Sequence, residues 1–192
     1  MPDGVILAAG YSRRAGVFKP ALAVREKSLL GCVIDGMAPH CRHIIVVAGF
    51  QAGTIRKLLV QFPLVEMVTN TKFRRGMFSS VKCGIQRVST DSFFLLPGDM
   101  PLINEKVYQE LLDVPGDIVV PVFRGRKGHP VLIKSWLIPE ILRQPDDASL
   151  RDFIQRHGYA TCETDQEGIM VDVDTSADFQ GLLDKLIGKN AG

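Results

Sequence analysis

The segment from Leu7 to Pro20 contains residue types that suit the binding of an anion. An apolar run ends in small residues, and a loop with glycines, a serine and several cations follows. Small residues let a ligand approach the backbone, whose amides can then face an anion. Arg14 and Lys19 can neutralise phosphate oxygens. The glycine spacing is not that of a P-loop, so the residues alone leave open either a phosphate loop or a basic surface turn.

A single acidic residue, Asp99, follows the apolar run that ends at Leu96, and Gly98 and Pro101 flank it. A carboxylate at the end of a strand can bind Mg²⁺, which prefers one or two carboxylates together with water and phosphate oxygens. Taken alone, Asp99 is better explained as a turn residue that accepts hydrogen bonds from nearby amides. Near the carboxyl end of the chain, alternation along a predicted strand places Asp172 and Asp174 on one side.

Two glycine-containing loops are further candidates. The first runs from Gly76 into a predicted helix from Ser79 to Val88, where Ser79 could simply cap the helix and Ser80 could hydrogen-bond a ligand. The second is a predicted hairpin loop with several cations before Gly128 and His129. It could be a solvated turn, and its positive charge would also suit an anionic substrate.

The elements that must position these residues alternate between short apolar runs and segments with helical spacing. Predicted strands cover 5–9, 44–48, 65–68, 93–96 and 118–122, with predicted helices over 28–37, 52–59, 79–88 and 104–112 between them. This alternation predicts an α/β fold with a mostly parallel sheet covered on both faces. After residue 123 a returning strand predicts an antiparallel element, followed by helices over 135–142, 150–156 and 177–187 and a strand over 169–173.

Composition limits the classes of protein that remain. The chain has 192 residues, 46% of them hydrophobic, and a formal net charge of +2, which is too balanced to indicate a nucleic-acid binder. The four cysteines form no C-x-x-C pair, and we expect them to be reduced, small buried hydrophobic residues. No leader, membrane span, linker or repeat is evident, which predicts one cytoplasmic domain over residues 1–192.

The order Leu7-Ala8-Ala9-Gly10-x-Ser12-x-Arg14-x-Gly16-x-x-Lys19 resembles the signature loop of the nucleotidyltransferase superfamily. More narrowly, it is similar to the branch that makes dinucleotide forms of the molybdenum cofactor. Gly98-Asp99-x-Pro101 resembles the metal-binding motif of that family, and the segment from Asp172 to Asp178 resembles its closing motif. The similarity covers nearly the whole chain, and the motifs occur in the family's order.

The resemblance implies a three-layer α/β/α Rossmann-like nucleotidyltransferase fold and a site that uses Mg²⁺. It assigns the triphosphate to Gly10, Ser12, Arg14 and Lys19. It assigns the metal to Asp99 and Asp174, with Asp172 as an alternative, and it gives catalytic roles to Arg14, Lys19 and Asp99. It places the base against Gly76, Ser79 and Ser80, and the second substrate beside Gly128 and His129. The remaining binding residues that it implies are Leu7, Ala8, Ala9 and Gly98.

Two features are similar to the cytidylyl branch of the family, the Ala8-Ala9 pair and the Gly76-Met77-x-Ser79-Ser80 turn. They imply CTP and molybdopterin or molybdenum cofactor as small-molecule substrates, with no nucleic-acid or membrane partner. Transient contact with a molybdoenzyme or its chaperone is left open. So are transfer from GTP, transfer to a sugar or polyol phosphate, and a non-catalytic cofactor chaperone. Residues 145–147 depart from the family's form, which leaves the role of Arg151 open.

The basic loop gives a first testable prediction. Arg14→Ala and Lys19→Ala should each weaken triphosphate binding by roughly 1.5–3 kcal/mol, because each removes a charge-assisted contact. Calorimetry with CTP and Mg²⁺ measures this loss. Unchanged affinity in both variants would show that the loop is a surface turn that does not bind the triphosphate.

Overall fold

The computed structural model describes residues 1–11, 18–24, 26–145, 148–173 and 175–188, with backbone alone at 176 and 184–188. The predicted site residues Ser12, Arg14 and Asp174 lie outside these ranges, and the roles assigned to them stay predictions.

A mixed sheet forms the centre of the described structure, and its strand order is β10-β7-β9-β6-β1-β4-β5. These strands are β1 (Asp3–Ala8), β4 (Ile44–Ala48), β5 (Val65–Thr69), β6 (Ser92–Pro97), β7 (Ile118–Phe123), β9 (Val131–Lys134) and β10 (Ala160–Glu163). The short strand β8 (Arg126–Lys127) forms a hairpin with β7, while β2 (Ala23–Val24) and β3 (Lys27–Ser28) pair separately. Strand β9 is antiparallel to β6 and β7, so β7 runs parallel to β6. The predicted parallel sheet with a carboxyl-terminal antiparallel element is confirmed.

Helices cover both faces of the sheet, because successive strand residues point to opposite sides. The helices are α1 (Leu29–Met37), α2 (Ala52–Leu58), α3 (Met77–Ile85), α4 (Glu105–Asp113), α5 (Ile138–Arg143), α6 (Leu150–His157) and α7 (Ser176–Gly188). Helices α1, α2 and α4 pack on the face that carries Ile6, Val46 and Phe94. Helices α3, α5 and α6 pack on the opposite face, which carries Val5 and Val47. The predicted three-layer α/β/α arrangement is therefore confirmed.

One predicted strand is absent, and one strand of the sheet was not predicted. The segment predicted as a strand over 169–173 is a 3-10 helix over Glu167–Met170 followed by irregular backbone. Here Gly168 packs so tightly on the Leu102 carbonyl that a Cβ would lie 2.0 Å from it, and this crossing prevents strand pairing. Strand β10 was missed because its sequence, Ala-Thr-Cys-Glu, carries a weak apolar signal.

Two of the four cysteines are buried, as the sequence predicted. Cys41 and Cys162 are buried, Cys32 and Cys83 are half-buried, and all four are free thiols. Burial raises the pKa of the Cys41 thiol to about 12, so this group stays protonated and unreactive at neutral pH. Among the described residues, no helix is long and apolar enough to cross a membrane.

The only tryptophan of the chain, Trp136, lies beyond the end of β9 and is 59% exposed. Its indole nitrogen donates to the Asp117 carboxylate at 3.3 Å, and its ring lies 5.9 Å from that of His157 in α6. Lys134, the last residue of β9, pairs with Ser92 at the start of β6. Trp136 is therefore at the edge of the sheet where β6 begins.

Helix α3 approaches the sheet closely at Gly84, and this contact gives a second prediction. A Cβ at Gly84 would lie 2.6 Å from Val5 Cγ1 and 2.7 Å from Val47 Cγ2, both on stiff β-branched side chains. Gly84→Ala should therefore lower the free energy of unfolding by roughly 1–3 kcal/mol through overpacking. Gly53→Ala in α2 is the control, because nothing lies within 4 Å of its Cβ position, and it should be neutral or slightly stabilising. Urea unfolding measures both, and equal stability of the two variants would contradict this account.

Candidate active site

The described structure contains a cleft of about 490 Å³ at the carboxyl ends of the parallel strands. Strands β4, β1 and β6 are neighbours and run in one direction, so their carboxyl ends meet at one edge. Ligands of open α/β sheets gather at this edge. The cleft is lined by nine of the predicted site residues, namely Leu7, Ala8, Ala9, Gly10, Lys19, Gly76, Ser80, Gly98 and Asp99.

Two opposite charges meet in the cleft. The Lys19 ammonium lies 3.2 Å from the Asp99 carboxylate, and the lysine is only 7% exposed. Burial raises the pKa of Asp99, the neighbouring Lys19 opposes that shift, and the charge of Asp172 adds to it. The site therefore holds a partly buried carboxylate whose charged form is favoured by the nearby ammonium.

The donor set suits a hard divalent cation such as Mg²⁺. Asp99 is a carboxylate at the end of β6, and Asp172 is close enough for its charge to raise the pKa of Asp99. Val173 N donates to the Asp99 carbonyl at 3.0 Å, which holds the segment around Asp172 against the end of β6. No cluster of three His, Cys, Asp or Glu side chains occurs among the described residues. One or two carboxylates are what Mg²⁺ uses when phosphate and water complete its coordination.

Two glycines allow the strand ends to approach each other. A Cβ at Gly98 would lie 3.1 Å from the Leu7 carbonyl, which already accepts a hydrogen bond from Gly98 N at 2.9 Å. A Cβ at Gly49, after β4, would lie 2.8 Å from both the Ala9 oxygen and Phe73 Cβ. Gly49 was not identified from the sequence, because a lone glycine after a strand reads as an ordinary turn.

A cluster of aromatic rings borders the cleft and was also missed. Phe50 lies against Tyr11, with ring centroids 5.1 Å apart, and against Phe18, at 6.0 Å. Tyr11 also contacts Phe73 at 5.2 Å, and Phe50 N donates to the Ala9 carbonyl at 3.1 Å. Tyr11 and Phe18 flank residues 12–17, so Phe50 contacts the residues on both sides of the basic loop. The aromatic residues lie on three separate segments of the chain, so no local motif marks them.

The turn before α3 differs from the predicted helix cap. The N-cap is Gly76, with a φ of 101°, and α3 begins at Met77, so the prediction that Ser79 caps the helix is wrong. A side chain would be strained at this φ, which accounts for the glycine. Ser79 donates instead to the Gly76 carbonyl at 2.8 Å and does not line the cleft. Ser80 is 4% exposed and does line it. Met77, Phe73 and Arg74 line it as well.

The hairpin residues Gly128 and His129 lie outside the cleft lining. A Cβ at Gly128 would lie 2.3 Å from the Ile169 carbonyl, which also accepts from His129 N at 3.1 Å. Burial lowers the pKa of the His129 ring, and the Leu95 carbonyl and the Asp172 charge oppose that shift. The ring Nδ1 is buried and has no partner among the described residues. These contacts give both residues a packing role, and a role toward the second substrate stays a prediction.

The closing motif contributes a helix cap. Thr175 Oγ1 accepts from Asp178 N at 3.1 Å, and the Asp178 carboxylate accepts in return from Thr175 N at 2.6 Å. This reciprocal pair makes Thr175 the cap of α7 and gives Asp178 a structural role. Asp172 is exposed on irregular backbone, so the argument that strand alternation aligns it with Asp174 is wrong. Arg151 is exposed in the first turn of α6 and does not line the cleft.

Comparison with known proteins agrees with this geometry. Residues 4–161 match the MobA-like NTP transferase domain. The chain is 26% identical over 178 residues to the molybdenum cofactor cytidylyltransferase of Escherichia coli, covering 92% of this chain and 93% of that protein. It is 26% identical over 132 residues to a probable molybdenum cofactor guanylyltransferase of Bacillus mycoides, and this match covers 67% of this chain and 65% of that protein. A solved structure from Mycobacterium sp. strain JC1 superposes with a TM-score of 0.81 at 27% identity, over 96% of both chains.

The position of Asp99 gives a third prediction. Asp99→Asn keeps the size of the side chain but removes the charge that a divalent cation needs, so turnover should fall about a hundredfold or more. A pyrophosphate-release assay measures turnover, and circular dichroism checks that the fold is retained. Near-normal turnover in a folded variant would show that Asp99 is not needed to bind the metal.

Proposed function

Since the chain belongs to the MobA-like NTP transferase family and is a nucleotidyltransferase, we propose that it transfers CMP from CTP to the terminal phosphate of molybdopterin or molybdenum cofactor. The products are the cytosine dinucleotide form of the cofactor and pyrophosphate. The observation that carries the proposal is that one cleft joins Lys19, Asp99 and Ser80. These are, in order, a cation for the leaving phosphates, a carboxylate for the metal and a polar group for the base.

The chemistry requires little proton transfer. An oxygen of the acceptor phosphate attacks the α-phosphorus in line, a new P–O bond forms, and the bond to the bridging oxygen of the β-phosphate breaks. A phosphate monoester is largely dianionic at neutral pH, so no strong general base is needed. The contribution of the protein is then positioning and neutralisation of charge. Lys19, together with Arg14 from the loop, would hold the pyrophosphate as it leaves.

Mg²⁺ would bind to Asp99, with Asp174 or Asp172 as the second carboxylate. When bound, it would supply positive charge that stabilises the charge developing on the phosphate oxygens. Asp99 is suited to this because its carboxylate is already partly buried and paired with a cation. The Lys19 ammonium would then contact a phosphate oxygen of the nucleotide in place of Asp99.

The charge of the β7–β8 hairpin supports an anionic acceptor. Strand β7 runs parallel to β6, so Arg124 and Lys127 lie at the same edge of the sheet as Asp99. Both are exposed, and each lies over an aromatic ring, with Lys127 Nζ 4.2 Å from the centroid of Tyr159. The aromatic ring restrains the side chain while the cation keeps its charge, and a restrained cation suits contact with a substrate phosphate.

The fourth prediction concerns the nucleotide. CTP should be used at least about tenfold better than GTP in specificity constant, because the small Ala8-Ala9 floor and the Ser80 hydroxyl suit a pyrimidine edge. The assay incubates the protein with each of the four triphosphates, molybdenum cofactor and either Mg²⁺ or Mn²⁺, and follows pyrophosphate. A preference for GTP would make the protein a guanylyltransferase. Cofactor binding without pyrophosphate release from any triphosphate would favour a chaperone.

A further inference from the structure

The buried side chain of Asn70 organises the turn against which we propose that the base binds. Asn70 follows β5 and is 5% exposed. Its Nδ2 donates to Ser79 Oγ at 2.8 Å and to Ser80 Oγ at 3.0 Å. Its Oδ1 accepts from Lys72 N at 2.9 Å. Every hydrogen-bonding atom of this amide is therefore engaged within the turn.

The Lys72 contact fixes which way the amide faces. A backbone N–H can only donate, so the atom opposite Lys72 N must be the amide oxygen. The NH₂ group must then face the two serine hydroxyls. Both hydroxyls accept from Asn70, and each must direct its own hydrogen elsewhere.

The two serines differ in where that hydrogen can go. Ser79 donates to the Gly76 carbonyl at 2.8 Å, with the Lys72 carbonyl at 3.1 Å as a second acceptor. Ser80 lines the cleft, and its Oγ accepts from Asn70, but its O–H donates to no described residue. The hydrogen of Ser80 is therefore available to an acceptor in the cleft.

We propose that Asn70 is a positioning residue that holds Ser80 as a hydrogen-bond donor toward the base, and so selects cytosine over uracil. This inference rests on the proposed function and deepens it. Cytosine N3 is a bare acceptor, whereas uracil carries a hydrogen at N3. A Ser80 O–H held toward the base donates to N3 of cytosine. With uracil it would face the N3–H, and two buried donors facing each other are costly.

The decisive variant is Asn70→Asp, which keeps the shape and reverses the polarity. The carboxylate still accepts from Lys72 N, but it also accepts from both serine hydroxyls, so the lone pairs of Ser80 turn toward the cleft. The ratio of CTP to UTP affinity, measured by calorimetry with Mg²⁺ and no acceptor, should fall at least about tenfold. The added negative charge repels both triphosphates equally, so it cancels in the ratio.

Asn104→Asp is the matched control. Asn104 Oδ1 also accepts from the backbone N–H two residues later, Lys106 N at 2.9 Å, but it caps the exposed start of α4 away from the cleft. The ratio should not change in this variant. If Asn70→Asp fails to fold, Asn70→Ala frees the Ser80 hydroxyl to rotate and should reduce the ratio toward one. Adding Ser80→Ala to it should then reduce the ratio no further than Ser80→Ala alone, because Asn70 acts through Ser80.

An unchanged ratio in folded Asn70→Asp, or equal CTP and UTP affinity in the unaltered protein, would overturn the inference. The proposed function fails in a different way. Selective CTP binding without transfer to molybdenum cofactor would refute the acceptor while the role of Asn70 stands.

Discussion

The parallel pairing of β1 with β4 on one side and β6 on the other is the constraint on which the site depends. Leu7 of β1 is in register with Val47 of β4 and with Pro97 of β6, so the three strands end at nearly the same level. Residues far apart in the chain therefore meet there, as Lys19 and Asp99 do across 80 positions. A shift of register by one residue would turn every strand side chain to the other face. It would also separate the residues that line the cleft.

The charge pair in the cleft is suited to exchange its partners. Breaking a buried ion pair is costly when one charge is left alone. A triphosphate with its metal brings both signs of charge together, so Asp99 would gain the metal as Lys19 gains a phosphate. Under the proposed function, neither group would be left without an opposite charge, and the cost of separating them would be offset within the same event.

The sequence predicted the layers of the fold and most of the cleft, for local reasons. Apolar runs of strand length marked the buried strands, and the glycines, Lys19 and Asp99 belong to compact motifs. It did not predict Phe50 or Gly49, because their contacts with Tyr11 and Ala9 come from chain crossings that no local pattern encodes. The helix cap was misplaced for a similar reason. Ser79 has the residue type of a cap, but Gly76 has the backbone conformation that the turn requires.

The absence of the predicted strand over 169–173 and the position of His129 have one cause, which is the packing of Ile169 on the segment of Gly128 and His129. Its apolar alternation is real, and Ile169 is fully buried. The chain buries that residue by packing Ile169 on Gly128 and Gly168 on Leu102 instead of joining the sheet. Close tertiary packing at these two glycines thus overrides a local preference for extended structure.

The position of Trp136 makes its fluorescence a signal of folding that is separate from the cleft. The indole lies at the edge of the sheet opposite the cleft and contacts His157 in α6. Its intrinsic fluorescence is the only tryptophan emission of the chain, so it follows the packing of β9 and α6 while being remote from any nucleotide. Tyr11, by contrast, lines the cleft and packs against Phe50 with its ring tilted by 41°. Emission from the single tryptophan therefore reports whether the fold is intact, independently of whether the cleft is filled.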